Sequence, residues 1–174
     1  MSKYIKQISS QEDNLYNIIL LLSRKKLFYT RFNLIDTFQN RIDLIFIHIS
    51  FIFIKMRKDN KDKVYKIFYQ KVFDLIFDKI EVNMREIGFG DTTINKNMRF
   101  LVKTFYNILL DIEKYKIIDL SEKNKFFNKY LKQSELSKTL NIKGLIDYFN
   151  KYEAFCFDLS SDSVLKGDLN FNYK

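Results

Sequence analysis

The sequence has no proline and no tryptophan, and among its 174 residues it has one cysteine, one histidine and four glycines. One cysteine excludes an internal disulfide and a metal site built on thiolates. One histidine excludes a di-iron site built from paired Glu-x-x-His motifs. The longest apolar run covers residues 44–54, which is shorter than the roughly 20 residues that a membrane span needs. We therefore expect a buried helix there.

Apolar residues make up 47% of the chain and include 18 Phe and 11 Tyr, enough for one domain with a proper core. The net charge is +9, which favours acidic partners such as anionic lipid headgroups, RNA or acidic protein surfaces. The excess of lysine, asparagine, isoleucine and phenylalanine is also what an AT-rich coding sequence produces. The charge alone therefore does not separate a partner signal from compositional drift.

Apolar residues recur at helical spacing along the chain, which predicts an all-α fold, a single compact domain of about six helices with no strands. The domain is expected at 14–158, between an extension at 1–13 and an irregular tail at 159–174. The helices are expected at about 11–24, from 36 or 37 into the charged stretch 55–63, 62–87, 95–116, 122–138 and 142–157, with a connector at 25–35. Inward positions on the third long helix are Val64, Phe68, Leu75, Ile76, Ile80 and Ile87.

The segment Met-Arg-Glu-Ile-Gly-Phe-Gly-Asp at 84–91 contains half of the glycines and predicts a tight turn between two long helices. Gly88 falls where the end of a helix needs a positive φ, and Gly90 lets the chain reverse. Asp91 or Thr93 is expected to cap the next helix. The segment lacks a third glycine, a P-loop lysine and a preceding strand, so it is not a phosphate-binding loop.

Arg41 and the single histidine, His48, are seven residues apart and so share one face of a helix. Such a pair can be a general base with an anion clamp, or a buried polar stripe hydrogen-bonded to carboxylates of a neighbouring helix. The absence of a matching nucleophile favours the structural alternative. Asp74 and Asp78 are expected to be exposed or ion-paired, and an acid between 74 and 91 is a candidate partner for Arg41 or His48. Cys156 is expected in the core.

The stretch 55–71 carries seven basic residues and two acidic ones, interleaved with tyrosine and phenylalanine. This pattern is typical of a solvated loop followed by a helix. It also suits a surface that rests on lipid headgroups or binds RNA. The candidate membrane or RNA contacts are Lys55, Arg57, Lys58, Lys61, Lys63 and Lys66.

Several landmarks occur together in a characteristic order. They are Leu15-Tyr16, Arg24, Phe28-Tyr29, Asp36-Thr37, Arg41-Ile42-Asp43, His48, the segment 73–96, Phe105-Tyr106 and Tyr115. In this order and spacing the sequence resembles the ubiquinol–cytochrome c chaperone family over residues 14–116, most specifically in the glycine hairpin. It departs from the family at Asn107-Ile108, where relatives have Gly-Arg, and at Ile35 and Asn95, where relatives have proline.

The resemblance implies a non-catalytic helical protein, without cofactor or metal, that binds newly made cytochrome b and promotes assembly of the cytochrome bc1 complex (complex III). Further partners that it suggests are a small partner subunit, the ribosome and an anionic membrane surface; no contact with DNA is expected. The positions carried over as client-binding or structural are Arg41, Asp43, His48, Arg85, Glu86, Gly88, Gly90 and Asp91. The alternative function is a basic helical module that binds RNA or the ribosome.

Mitochondrial relatives act at the inner membrane. The first dozen residues of this chain contain neither an apolar run of signal-peptide length nor an Arg-rich presequence. We therefore expect the bacterial form of the family, located in the cytoplasm and peripheral to the inner face of the plasma membrane.

Overall fold

The structure is a computed structural model that describes residues 10–59, 63–132 and 139–173. These residues form eight α-helices and no β-strand: α1 Gln11–Ser23, α2 Leu27–Thr30, α3 Phe38–Asp59, α4 Lys63–Ile87, α5 Asp91–Glu113, α6 Leu120–Tyr130, α7 Ile142–Asp158 and α8 Ser161–Leu165. Six of the helices have eleven or more residues. The prediction of an all-α fold with about six helices is confirmed.

Helix α3 lies at the centre of the molecule. The apolar run 44–54 is buried on every side of the helix, because α1, α4, α5 and α7 all pack against it. A helix that is apolar all round is stable only when it is surrounded in this way. The expectation of a buried helix at this run is confirmed.

The helices around α3 run in two directions. Arg57 near the end of α3 pairs with Glu113 at the end of α5, and Lys55 donates to the carbonyl of Phe157 near the end of α7. Helices α3, α5 and α7 therefore end at the same pole of the bundle. Lys71 in the first half of α4 pairs with Glu12 at the start of α1, so α1 and α4 share a direction. The start of α3 thus lies beside the end of α4.

Side chains at the helix starts explain several of the boundaries. Ser10 and Asp13 form a reciprocal capping box at the start of α1. Asp119, Asn141 and Ser160 cap α6, α7 and α8 by accepting from backbone amides in the first turn. Each cap satisfies an amide that has no partner inside its helix.

Five sequence predictions are corrected. The connector 25–35 contains helix α2, and the tail expected to be irregular contains helix α8. Helix α5 begins at Asp91, four residues before the predicted start. Val64 and Ile87, expected to point inward, are exposed, because they lie in the first and last turns of α4, where the neighbouring helices no longer cover it. The predicted helix 122–138 ends at Tyr130, and its last part, 133–138, lies outside the described residues.

Residues after α8 pack back over α7. Phe171 and Tyr173 place their rings against Tyr148 at centroid distances of 5.5 and 5.0 Å. The hydroxyl of Tyr173 donates to the carboxylate of Asp147 at 2.8 Å. These contacts hold the C-terminal segment against the outer surface of α7.

Candidate functional site

The glycine hairpin joins α4 to α5 through a Schellman motif, a common way of ending a helix. The amide of Phe89 donates to the carbonyl of Met84, and the amide of Gly88 donates to the carbonyl of Arg85, both at 3.0 Å. Gly88 has a φ of +97°, as predicted, whereas Gly90 has φ −75° and ψ 157°, values open to any residue. Of the two glycines, only Gly88 is required by its backbone conformation.

Arg85 connects the two helices of the hairpin. Its guanidinium donates to Glu81 at 2.8 Å and to Asp91 at 2.6 Å. The predicted cap is therefore corrected: Gly90 occupies the cap position without a side-chain bond, and Asp91 is ion-paired with Arg85. Arg85, Glu86 and Asp91 are all exposed, so this network lies on the surface.

An apolar groove lies beside the hairpin, where the start of α3 meets the end of α4 and the second half of α1. Its floor is formed by the buried residues Ile42, Ile45 and Ile80, and the exposed Ile87 forms one wall. The remaining lining residues are Tyr16, Leu20, Arg24, Phe38, Arg41 and Asn83. The groove encloses about 130 Å³, and an apolar cavity of roughly 150 Å³ accommodates one benzene ring. It therefore has room for a single large side chain.

Arg41 stands at the edge of this groove. Its guanidinium makes two bonds to the carboxylate of Asp36, at 2.6 and 2.8 Å, and this pairing lowers the pKa of Asp36. The predicted partnership with an acid between 74 and 91 is wrong, because Arg41 lies in the first turn of α3, within reach of the residues that precede the helix. Asp74 and Asp78 are exposed on α4, as predicted.

Asp43 is buried two residues further along α3, and both of its oxygens accept from the side-chain amide of Gln39 at 3.0 and 3.1 Å. Burial raises the pKa of this carboxyl from 3.8 to about 7, against smaller lowering effects of Gln39 and Lys132. Because Asp43 is closed off from solvent, its role is internal to the fold.

His48 is buried between α3 and α7. Its Nδ1 lies 2.6 Å from the carbonyl of Leu44, and its Nε2 lies 2.9 Å from the hydroxyl of Tyr148. A carbonyl can only accept, so Nδ1 carries the proton and Nε2 accepts from the tyrosine. Burial lowers the pKa of His48 from 6.5 to about 3. A polar contact between helices is found as predicted, but its partner is a tyrosine rather than a carboxylate.

The predicted basic contacts differ in burial and in partners. Lys55 is buried: its ammonium donates to the carbonyl of Phe157 at 2.8 Å and pairs with Asp59 at 3.0 Å. Arg57 pairs with Glu113, and the ammonium of Lys58 lies 4.8 Å from the ring centre of Phe157. The membrane or RNA contact is therefore corrected for Lys55, which faces inward. Lys63 and Lys66 are exposed on α4, and Lys61 lies outside the described residues.

Sequence reasoning missed two features of this region. Tyr148, the partner of His48, lies 100 residues further along the chain. The sequence around Tyr148 has no pattern that distinguishes it from the other tyrosines. The groove residues Leu20 and Phe38 belong to two helices that meet only in the folded chain. An apolar residue near a helix end, such as Ile87, was the available signal for the groove. Helical spacing assigned Ile87 to the core instead.

The described parts of the chain contain no candidate metal-binding cluster and no candidate membrane-spanning helix. No group of three or more histidine, cysteine, aspartate or glutamate side chains in residues 10–59, 63–132 and 139–173 is placed to hold a metal ion. Within the same ranges, every helix is too short or too polar to cross a bilayer. Cys156 is buried in the core, as predicted.

Comparison with known proteins gives two matches. The family model described as ubiquinol-cytochrome C chaperone matches residues 30–171. The fold is similar to the crystal structure of the Cbp3 homolog from Brucella abortus, with a TM-score of 0.78 and 20% sequence identity over 94% of this chain and 89% of that chain. No curated protein matches the sequence.

Proposed function

Because the chain belongs to the ubiquinol-cytochrome C chaperone family, we propose that it is an assembly chaperone that binds newly made cytochrome b and promotes assembly of the bc1 complex. The observation that carries the proposal is the family match, which extends from α2 to the segment after α8. The work of such a protein is to hold an apolar client reversibly. The required element is therefore a recognition surface on a stable scaffold.

We propose that the groove beside the glycine hairpin is this recognition surface. Cytochrome b is an apolar membrane protein, and its side chains need an apolar site before the partner subunits cover them. The groove offers the isoleucine floor and an exposed wall at Ile87, with the guanidinium groups of Arg24 and Arg41 at its edge. An apolar centre with a polar rim is the usual anatomy of a protein-binding site.

We propose that the protein performs no catalytic step. The single imidazole, that of His48, is buried with both nitrogens hydrogen-bonded, so it cannot reach a substrate. The thiol of Cys156 is buried in the core, and burial raises its pKa, which keeps it a thiol rather than a nucleophilic thiolate. The arginines around the hairpin and the groove edge have roles in binding or in joining helices.

We further propose that the protein works at the inner face of the membrane into which cytochrome b is inserted. A chaperone for a membrane protein must meet its client before the client's apolar segments aggregate. Peripheral attachment fits the net charge of +9, because the cytoplasmic leaflet attracts basic surfaces.

The test is recovery of cytochrome b with a tagged copy of the chain from crosslinked membranes, combined with the level of assembled bc1 complex in a deletion strain. Ile87→Asp places a charge in the groove at a side chain that is 59% exposed, so the fold should tolerate it. We expect this variant to recover less cytochrome b and to restore less bc1 complex than the wild type. Val82→Asp is the matched control, since Val82 is 51% exposed on the same helix.

Normal bc1 levels in the deletion strain, with no cytochrome b recovered, would refute the chaperone function. Equal recovery with both variants would refute the groove and leave the function standing. Tight RNA binding with a steep salt dependence, together with indifference to bc1 subunits, would favour the alternative of an RNA- or ribosome-binding module.

A further inference from the structure

The turn that joins α5 to α6, residues 114–119, carries an exposed apolar pair that the core does not use. Tyr115 anchors the turn in the core, where its ring is fully buried. On either side of this anchor, Lys114 and Lys116 are exposed. Ile117 is 84% exposed, and Leu120, the first residue of α6, is 68% exposed. These two aliphatic side chains project from the surface and cost hydration free energy where they stand.

Several lysines lie beside the turn. The ammonium groups of Lys58 and Lys116 lie 4.8 and 5.9 Å from the ring centre of Phe157, so the end of α3 contributes a second lysine beside the turn. Acidic residues are also close: Glu113 pairs with Arg57, Asp119 accepts from the amide of Glu122 at 2.8 Å, and Glu153 interacts electrostatically with Lys116 and Lys58. The projecting aliphatic residues thus stand among lysines.

We propose that the α5–α6 turn docks on an anionic lipid bilayer, with Ile117 and Leu120 in the interfacial layer and the lysines at lipid phosphates. Projecting aliphatic groups flanked by lysines are the pattern that such interfaces bind. RNA is a poorer fit, because an aliphatic side chain offers no ring on which a base can stack. The inference rests on the proposed membrane location of the chaperone and identifies the surface that would provide it.

Flotation of the full chain with lipid vesicles tests the apolar part of this surface. Vesicles of phosphatidylglycerol and phosphatidylcholine should bind the wild type, vesicles of phosphatidylcholine alone should bind it far less, and added salt should weaken binding. The double variant Ile117→Ser/Leu120→Ser should partition onto the vesicles at least about tenfold less, because two aliphatic side chains that would be buried in the lipid are removed. Leu21→Ser on α1 is the matched control, since Leu21 is 69% exposed.

A second pair of variants tests the charges. Lys114→Gln and Lys116→Gln should each weaken binding about fivefold, the effect of one lysine near an anionic surface. Lys96→Gln and Lys103→Gln change exposed lysines elsewhere on α5 and should leave binding unchanged.

Two outcomes would overturn the proposal: equal partitioning of the Ile117→Ser/Leu120→Ser variant and the wild type, or equal binding to neutral and anionic vesicles. Binding of RNA that depends on the lysines but not on Ile117 would assign the surface to nucleic acid instead. The flotation assay contains only purified protein and lipid, so it does not depend on the client. Absence of vesicle binding together with normal recovery of cytochrome b would therefore refute this surface alone. Vesicle binding without any cytochrome b recovery refutes the chaperone function alone.

Discussion

Asp43 and His48 give the stability of the fold two opposing dependences on pH. Burial raises the pKa of Asp43 to about 7, so its stabilising protonation is complete below 3.8 and is lost as the pH rises through 7. Burial lowers the pKa of His48 to about 3. Below pH 6.5 the histidine is therefore protonated in the unfolded chain but stays neutral in the folded chain. That difference destabilises the fold as the pH falls.

Between about pH 4 and 6.5 the two effects cancel, since each amounts to about 1.4 kcal/mol per pH unit with opposite sign. We therefore predict that Asp43→Asn removes this cancellation, so that the stability of the variant shows the pH dependence caused by His48. The free energy of unfolding of the wild type minus that of the variant should be about 2 kcal/mol larger near pH 5 than near pH 7. Taking the difference at each pH removes the contributions of groups that the two proteins share.

Urea denaturation followed by helical circular dichroism measures these free energies directly. His48→Gln should show the opposite trend, with the wild type losing about 2 kcal/mol relative to the variant between about pH 6.5 and 4.5. Asp78→Asn, which changes an exposed carboxylate on α4, is the control and should keep the wild-type profile. A constant difference between wild type and Asp43→Asn across this range would show that the folded state does not hold a proton on Asp43, and the reasoning from burial would fail.

Two further substitutions probe the hairpin and the contact between α3 and α7. Gly88→Ala should destabilise the fold by about 1 kcal/mol or more, because alanine is strained at a φ of +97°, whereas Gly90→Ala should be tolerated at its φ of −75°; equal urea midpoints for the two variants would contradict this. Tyr148→Phe removes the donor to Nε2 of buried His48 and should cost about 1–3 kcal/mol, measured by urea denaturation. An unchanged free energy of unfolding would mean that this hydrogen bond adds nothing.

The sequence was sufficient for features that depend on one helix or one turn. The apolar run 44–54 predicts the central helix because only complete burial makes such a run stable. Gly88 predicts the hairpin because a positive φ at a helix end is a local requirement. Helices α2 and α8, with four and five residues, were missed because they are too short to show a helical period.

Contacts between distant residues were beyond the sequence. The spacing of Arg41 and His48 correctly places both on one face of α3, yet one lies in an exposed first turn and the other in the core. Their environments differ because the neighbouring helices cover the middle of α3 and leave its start open. The groove has the same origin, since it requires the start of α3 to meet the end of α4.

The basic residues at the pole where α3, α5 and α7 end show why net charge was an ambiguous guide. Helix C-termini carry partial negative charge and unpaired carbonyls, and Lys55 binds one of these carbonyls, that of Phe157. Lysines at this pole therefore have a reason to be present without any external partner. Helix ends give no such reason for Ile117 and Leu120 to be exposed. The decisive comparison for a membrane surface is thus between variants of Ile117 and Leu120 and the variant of Leu21, a leucine of similar exposure elsewhere on the surface. Weaker vesicle binding of the turn variants alone would identify a docking surface, whereas the lysines could be present for the stability of the fold.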